Sequence, residues 1–257
     1  MPDPDLGSRH LRWERRGTVA WVFIERPERR NALTSNMYFG IRRAIDTVNR
    51  SSSLRALVIT GTGDVFAPGG ELGGRHDDGD VDYGELLGLG VLPFDAIRES
   101  RKPVIASVNG LCMGGGLLIT MLSDVAIASD RAAFGAPELE RGVADAFHAA
   151  ILPEHVGIAV ARDMLFTSRR LSAPEALQFG LVARVVPHDD LEAVTNDVVR
   201  DILRAAPKAR VSLKRIINAR YGVVDRVTFE DSVFGDEAIE GFRSFIDKRP
   251  PSWVPET

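Results

Sequence analysis

A single cysteine, Cys112, stands among 257 residues. One thiol makes no intrachain disulfide and no multi-cysteine zinc site, and such scarcity suits a reducing cytosol. Nowhere do apolar residues run uninterrupted for about 18 positions, the length that a membrane-spanning helix needs. A basic surplus is missing too: 32 Lys and Arg face 36 Asp and Glu, for a formal net charge of -4. That balance argues against nucleic acid as a partner, because proteins that bind it usually gather cations on at least one face. The sequence also lacks the Gly-Lys-Ser/Thr of a P-loop and the Gly-x-Ser-x-Gly of a nucleophile elbow. Its polar start, Met1 to His10, does not have the character of a secretory signal. What it does have is apolar content, 44% of residues, enough for a sizeable core and too much for a disordered chain. These features predict a soluble, cytoplasmic, globular protein.

Between Leu11 and Ile24 two alternating runs flank Arg15-Arg16-Gly17-Thr18, which reads as a hairpin that Pro27 stops. Thr34 or Ser35 then caps a predicted helix whose Met37, Ile41, Ala44, Ile45 and Val48 share one stripe. Ala56 to Thr60, Pro103 to Val108 and Val125 to Ala128 are short and apolar, as in strands buried on both faces. A Gly/Pro-rich loop, Gly61 to Gly74, and an acidic, solvated stretch, Asp77 to Glu85, follow the first of these. Ser172-Ala-Pro-Glu175 is a capping box opening a helix that Gly180 closes, and Leu181 to Val186 reads as a strand ended by Pro187. From Leu191 onward the pattern is helical. Strands alternating with helices predict an α/β domain with parallel strands and a helical tail.

Chemistry is concentrated in Val104-Ile-Ala-Ser-Val-Asn-Gly-Leu-Cys-Met-Gly-Gly-Gly-Leu-Leu118, where a buried strand leads to Asn109-Gly110 and three glycines open a helix. The first N–H groups of a helix lack internal partners, and the macrodipole favours negative charge there. Glycines let another group approach those donors without meeting a Cβ. Such a turn can hold a phosphate or a developing oxyanion, or it can serve only as a tight packing turn. A dinucleotide fingerprint fails on spacing, since Leu111, Cys112 and Met113 separate Gly110 from the next glycine. Phe66-Ala-Pro-Gly-Gly-Glu-Leu72 has the same logic, and two such turns could pinch one oxygen; the alternative is an ordinary surface loop.

In this order the segments resemble the enoyl-CoA hydratase/isomerase family, the crotonases, over nearly the whole chain. Arg26-Pro27 with Asn31-Ala32-Leu33 is similar to the family's first signature. Phe66 to Leu72 resembles its F-x-A-G-A-D-L loop, with departures at Pro68, Gly70 and Glu71. Asn109-Gly110 with Gly114-Gly115-Gly116 resembles N-G-x-x-x-G-G-G, and Phe134-Gly-Ala-Pro-Glu138 resembles F-G-x-P-E. Leu171 to Val182 and the tail Glu240 to Arg249 complete the likeness. The resemblance implies an α/β fold: a crotonase-like spiral of β-β-α units over residues 1–190, which binds and transforms an acyl-CoA. A helical trimerisation region follows over 191–257, in a homotrimer or a dimer of trimers. It further implies an acyl-CoA thioester as partner, coenzyme A as part of the substrate and no prosthetic group. The thioester oxygen would be held by the backbone N–H groups of Gly70 and Gly115. Arg29 and Arg30 match the stretch that contacts coenzyme A, and Phe245 and Lys248 match a pair that reaches a neighbouring subunit's coenzyme A. Glu71, Leu72 and Leu118 fall at substrate-facing positions of the family.

Hydratases of the family carry two catalytic glutamates. This chain has Leu118 where the first would stand and keeps the second as Glu138. Two carboxylates can grip a water molecule and add it across a double bond. One carboxylate facing an apolar Leu118 suits the carrying of a proton between carbons, with burial raising its pKa towards the working pH. The reading is therefore a single-base Δ3,Δ2-enoyl-CoA isomerase, with an enoyl-CoA hydratase or a non-catalytic acyl-CoA binder as alternatives. Asp145 is a candidate second acid, one position short of the working aspartate of dienoyl-CoA isomerases, or else a solvated loop residue. Glu140 reads as exposed. His148 and His155, either side of Pro153, share no metal-ligand spacing with a carboxylate and read as surface or packing residues, although His148 is placed to line an acyl pocket. Asp78, Asp80 and Asp82 start like an EF-hand, but Tyr83 and Leu89 break the pattern, and no metal is predicted. The basic run Lys208 to Arg220 reads as a solvated or interface face, and Cys112 as a core residue.

Overall fold

Gly17, at φ +62°, turns the chain between β1 (Leu11–Arg16) and β2 (Val19–Ile24), which pair antiparallel from Leu11↔Ile24 to Arg16↔Val19. The structure, a computed structural model, describes residues 3–71, 92–221 and 224–254. Leu72, the acidic stretch Asp77 to Glu85 and the EF-hand-like aspartates lie outside the described residues. Thr34 is the cap of α1 (Ser35–Arg50), its hydroxyl accepting the Met37 N–H at 3.2 Å, and the predicted apolar stripe is buried.

A repeating unit follows. β3 (Ala56–Gly61) leads into the short β4 (Val65–Ala67), and α2 (Pro93–Glu99) comes later. β5 (Val104–Val108), β6 (Leu111–Met113) and α3 (Gly115–Leu122) form the next unit; β7 (Val125–Ser129) and β8 (Ala133–Gly135) begin another. Each turn of the spiral places one long strand in the larger sheet and one short strand in the smaller. A single-turn 3-10 helix, Glu138–Arg141, then leads to α4 (Ala146–Val156), α5 (Ile158–Thr167), β9 (Leu171–Ser172), α6 (Ala173–Phe179) and β10 (Arg184–Val186). The larger sheet runs β1-β2-β3-β5-β7-β10, parallel except at β1, and the smaller runs β4-β6-β8-β9.

Two asparagines fasten the corner between these sheets. Asn109 Oδ1 accepts the Gly61 N–H at 3.0 Å, while its Nδ2 donates to the carbonyls of Gly63 and Val65 at 2.9 and 3.2 Å. Asn31 Oδ1 accepts the Arg26 N–H at 2.9 Å and its Nδ2 donates to Thr62 and Val65 carbonyls at 3.0 and 2.7 Å. Gly110 stands so close to the Asp64 carbonyl that a Cβ would collide with it. The motif glycine is thus a contact between backbones.

The strand predicted from Leu181 to Val186 is shorter in the structure, beginning at Arg184. The N–H groups of Leu181 and Val182 both donate to the Ala176 carbonyl, closing α6 instead of joining the sheet. Past it come α7 (Leu191–Arg204), α8 (Pro207–Asn218), α9 (Arg226–Val233) and α10 (Asp236–Ile246). Leu191, Val198 and Val199 of α7 cover Trp21, Val58 and Ile105 on one face of the larger sheet. The opposite face carries the main core with α1, α2 and α3. Cys112 is buried there beside the Thr120 hydroxyl, 3.2 Å from Sγ, and burial pushes its thiol up to about 12. Among the described residues no helix is long and apolar enough to cross a membrane.

Candidate active site

Gly114, at φ +54°, turns β6 into α3. Gly115 is the first residue of that helix, so its N–H has no acceptor within it. The three glycines lie against three different neighbours. A Cβ on Gly114 would stand 2.6 Å from Glu138 Oε1; one on Gly115 would strike the Tyr38 hydroxyl; one on Gly116 would strike the Ala67 carbonyl. The start of α3 is therefore pressed against α1, β4 and the Glu138 turn at once, and only bare backbone fits.

The second glycine turn arrives from β4. The Leu33 N–H donates to the Gly69 carbonyl and the Glu71 N–H donates to the Leu33 carbonyl, each at 2.9 Å, forming a parallel bridge centred on Leu33 and Gly70. In such a bridge the central residue's own N–H points away from its partner. Gly69, at φ +104°, backs onto the first turn: a Cβ there would lie 3.5 Å from Gly114 Cα and 3.6 Å from Gly115 N. Both turns thus meet. Among the described residues neither the Gly70 nor the Gly115 N–H donates a hydrogen bond.

Glu71 holds this turn in place. Arg26, 1% exposed, presents Nη1 at 3.0 Å to Glu71 Oε2 and Nη2 at 3.2 Å to Oε1, and Nη1 also donates to the Ala32 carbonyl at 3.1 Å. Both oxygens of Glu71 face Arg26, where the resemblance implied a substrate contact.

Leu118 is buried one turn into α3, and its N–H donates to the Gly114 carbonyl at 3.0 Å. Glu138 opens the 3-10 turn after β8, with Oε1 at Gly114 and a buried Oε2 that finds no hydrogen-bond partner among the described residues. Burial raises its pKa, with His148 and Arg141 opposing. Asp145 is buried and caps α4: Oδ1 accepts the N–H groups of Phe147 and His148 at 2.9 and 3.0 Å. Burial works to raise the Asp145 pKa, yet the charge and hydrogen bonds of His148 outweigh it and hold the group below the usual range. The reading of Asp145 as a solvated loop residue is thus corrected.

His148 read as a surface or packing residue, or as one lining an acyl pocket, and the structure takes it off the surface. It is fully buried, with Nδ1 3.0 Å from Asp145 Oδ2 and 3.9 Å from Glu138 Oε2. Burial disfavours the charged ring, but the two carboxylates and the Gly114 carbonyl outweigh it and push the pKa up to about 9. The available signal was Asp-x-x-His at a helix start, where a cap and the third residue after it share a face. Glu138, Asp145 and His148 bring ligand atoms within 4.8 Å of one another. Asp145 Oδ1 is already engaged by two amides, and Oδ2 lies 3.0 Å from the His148 ring, at the distance of an ion pair. His155 packs on Tyr221, with Nε2 3.1 Å from its hydroxyl.

The basic candidates lie at the rim. Arg29 and Arg30 are 64% and 67% exposed, 3.9 Å from Glu71 and Asp64 respectively. On the last helix Phe245 lies under the Arg141 guanidinium at 4.5 Å, with Lys248 exposed just beyond. A cavity of about 360 Å³ opens there between Arg141, Ser244, Phe245, Arg249 and Trp253.

Comparison with known proteins decides the family. The sequence profile described as Enoyl-CoA hydratase/isomerase matches residues 14–256. The chain belongs to the enoyl-CoA hydratase/isomerase family. Members similar to it include the short-chain-enoyl-CoA hydratase of Clostridium acetobutylicum, 32% identical over 92% of this chain and 94% of that one. The carnitinyl-CoA dehydratase of Salmonella arizonae is 33% identical over 96% and 98%. A solved enoyl-CoA hydratase/isomerase from Pseudoalteromonas atlantica superposes with a TM-score of 0.82 at 29% identity, covering 96% of this chain and all of that one. The chain is accordingly an acyl-CoA enzyme of the enoyl-CoA hydratase/isomerase family, with the α/β spiral of that fold.

Proposed function

We propose that this family member moves a proton at the carbon beside an acyl-CoA thioester, with Glu138 as carrier and the Gly70 and Gly115 N–H groups as donors to the thioester oxygen. The observation that carries this reading is the contact between the two glycine turns, each with an N–H that donates to nothing among the described residues, beside a partly buried carboxylate at Gly114. Two such donors stabilise the oxygen of an enolate, and each is worth about 3–4 kcal/mol of barrier. Leu118 is apolar and both oxygens of Asp145 are engaged, which leaves Glu138 as the carboxylate able to exchange a proton.

The step is a Δ3,Δ2 isomerisation. Glu138 takes a proton from Cα of a 3-enoyl-CoA, the electron pair passes onto the thioester oxygen, and the proton returns at Cγ as the Cα–Cβ double bond forms. Glu138 ends as it began. Hydration of a 2-enoyl-CoA is the second reading, favoured by the relatives named hydratase and dehydratase. Arg29 and Arg30 supply exposed cations for the phosphates of coenzyme A, and Phe245 and Lys248 would add contacts from the tail. The assay offers a 3-enoyl-CoA and a 2-enoyl-CoA separately. Conversion of the first to the 2-enoyl ester is the expected result; turnover of only the second, to a 3-hydroxyacyl-CoA, establishes hydration. Binding of both esters without turnover of either makes the chain a binder.

A trimer, or a pair of trimers, belongs to the same proposal. Leu213, Ile216 and Ile217 on α8, with Val227, Phe234 and Ile239 beyond it, are at least half exposed, and burying such apolar surface is what association would supply. Light scattering on the purified protein is expected to give three or six times the 28.1 kDa chain mass; a monomer counts against it.

A further inference from the structure

We propose that His148 is a positioning residue, a cation wedged between Asp145 and Glu138 that holds the Glu138 carboxylate at the Gly114 turn and compensates its burial. The inference rests on the reading of Glu138 as the proton carrier. Two separate segments build the unit. The first turn of α4 brings Asp145 and His148 and the 3-10 turn brings Glu138, so that both carboxylates face Nδ1, while Nε2 is buried and finds no hydrogen-bond partner among the described residues. The ring has no exposure to water, and a buried charge persists only where opposite charge and polar groups surround it. Here two carboxylates and one ring leave a net charge of minus one on the cluster. Without the cation, Asp145 and the partly buried Glu138 would share a pocket whose other charged neighbour, Arg141, already donates to the Pro137 carbonyl at 3.2 Å and pairs with Glu140 at 3.1 Å.

The Asp145–His148 pair stays neutral in sum while Glu138 takes up and returns the substrate proton. No proton passes through His148. The ring tunes the base: its charge lowers the Glu138 pKa against the opposing effect of burial. His148→Gln removes that charge while keeping bulk and polarity, so Glu138 holds its proton to higher pH. Only the ionised carboxylate acts as base. The acidic limb of the kcat/KM profile therefore moves to higher pH, with about a tenfold loss at fixed pH for each pH unit of displacement.

A second readout needs no substrate. In protein with 15N-labelled histidine, the His148 ring, assigned by its absence from H148Q, should be doubly protonated at neutral pH and lose a proton at about 9. Glu138→Gln and Asp145→Asn should each lower that titration point, because each removes an anion facing the ring; Asn remains a good helix cap, so α4 is kept. A singly protonated His148 at neutral pH in the wild type overturns the proposal. So does a titration point unmoved by Glu138→Gln, or an H148Q pH profile that superposes on the wild type. Should H148Q fail to fold, the wild type, E138Q and D145N still decide the matter, with the His148 signal assigned by its response to D145N. The reading of Glu138 fails separately, through undiminished turnover by E138Q, which leaves the imidazole titration to be judged by itself.

Discussion

Glu138→Gln lowers kcat by roughly 10²- to 10⁴-fold, the usual contribution of a positioned general base, and leaves the affinity for acyl-CoA nearly unchanged. Glutamine has the same shape but accepts no proton. It also carries no charge to be desolvated, and burial is the chief cause of the raised Glu138 pKa, so the variant is expected to be at least as thermostable as the parent. His148 keeps Asp145 as its closer partner, at 3.0 Å. Rate and melting temperature measured on the same preparation separate the two effects. A folded variant with an undiminished rate removes Glu138 from the mechanism.

Glu71→Ala has the largest expected effect on stability. It leaves the Arg26 guanidinium, 1% exposed, without the carboxylate that meets both of its terminal nitrogens. Breaking a buried pair by removing one partner costs about 3–5 kcal/mol, which lowers the melting temperature of a chain this size by on the order of 10 °C. Glu71→Gln keeps hydrogen-bonding oxygen at the guanidinium and costs less. The paired change Arg26→Met with Glu71→Leu recovers much of the loss, because apolar residues of similar volume replace buried ion pairs at little cost. The Gly69–Glu71 turn also loses its tether in the alanine variant, so kcat/KM falls alongside. A melting temperature equal to the parent's would show that the pair adds no stability.

Local chemistry made much of this fold legible. The hairpin, the Thr34-capped helix, three long strands and the Ser172 capping box each declare themselves within a few residues, through alternation, spacing or a cap. The short strands β4, β6 and β8 do not. Each is three residues long, too short to show a period, and exists because the spiral stacks one unit on the next. Asn31 and Asn109 were visible as motif letters, but their work at the corner between sheets depends on carbonyls far away in sequence. At the site, Gly115 and Glu138 were legible as motif positions. His148 was not, because a lone histidine acquires its character from burial and from carboxylates on other segments. Leu181 misled for a simpler reason: an apolar run reads as strand, and nothing local reveals that its N–H groups turn back to close a helix.

Thioesters acylate thiolates, and an enzyme that handles them risks becoming its own acceptor. The only cysteine of this chain lies inside the core with its thiol pushed up to about 12, so at ordinary pH it offers neither the anion nor the access that trans-thioesterification requires. Acyl groups should therefore pass through without marking the protein. A cysteine introduced at an exposed position would, by the same reasoning, react alone with a maleimide dye, which makes the chain a ready scaffold for single-site labelling.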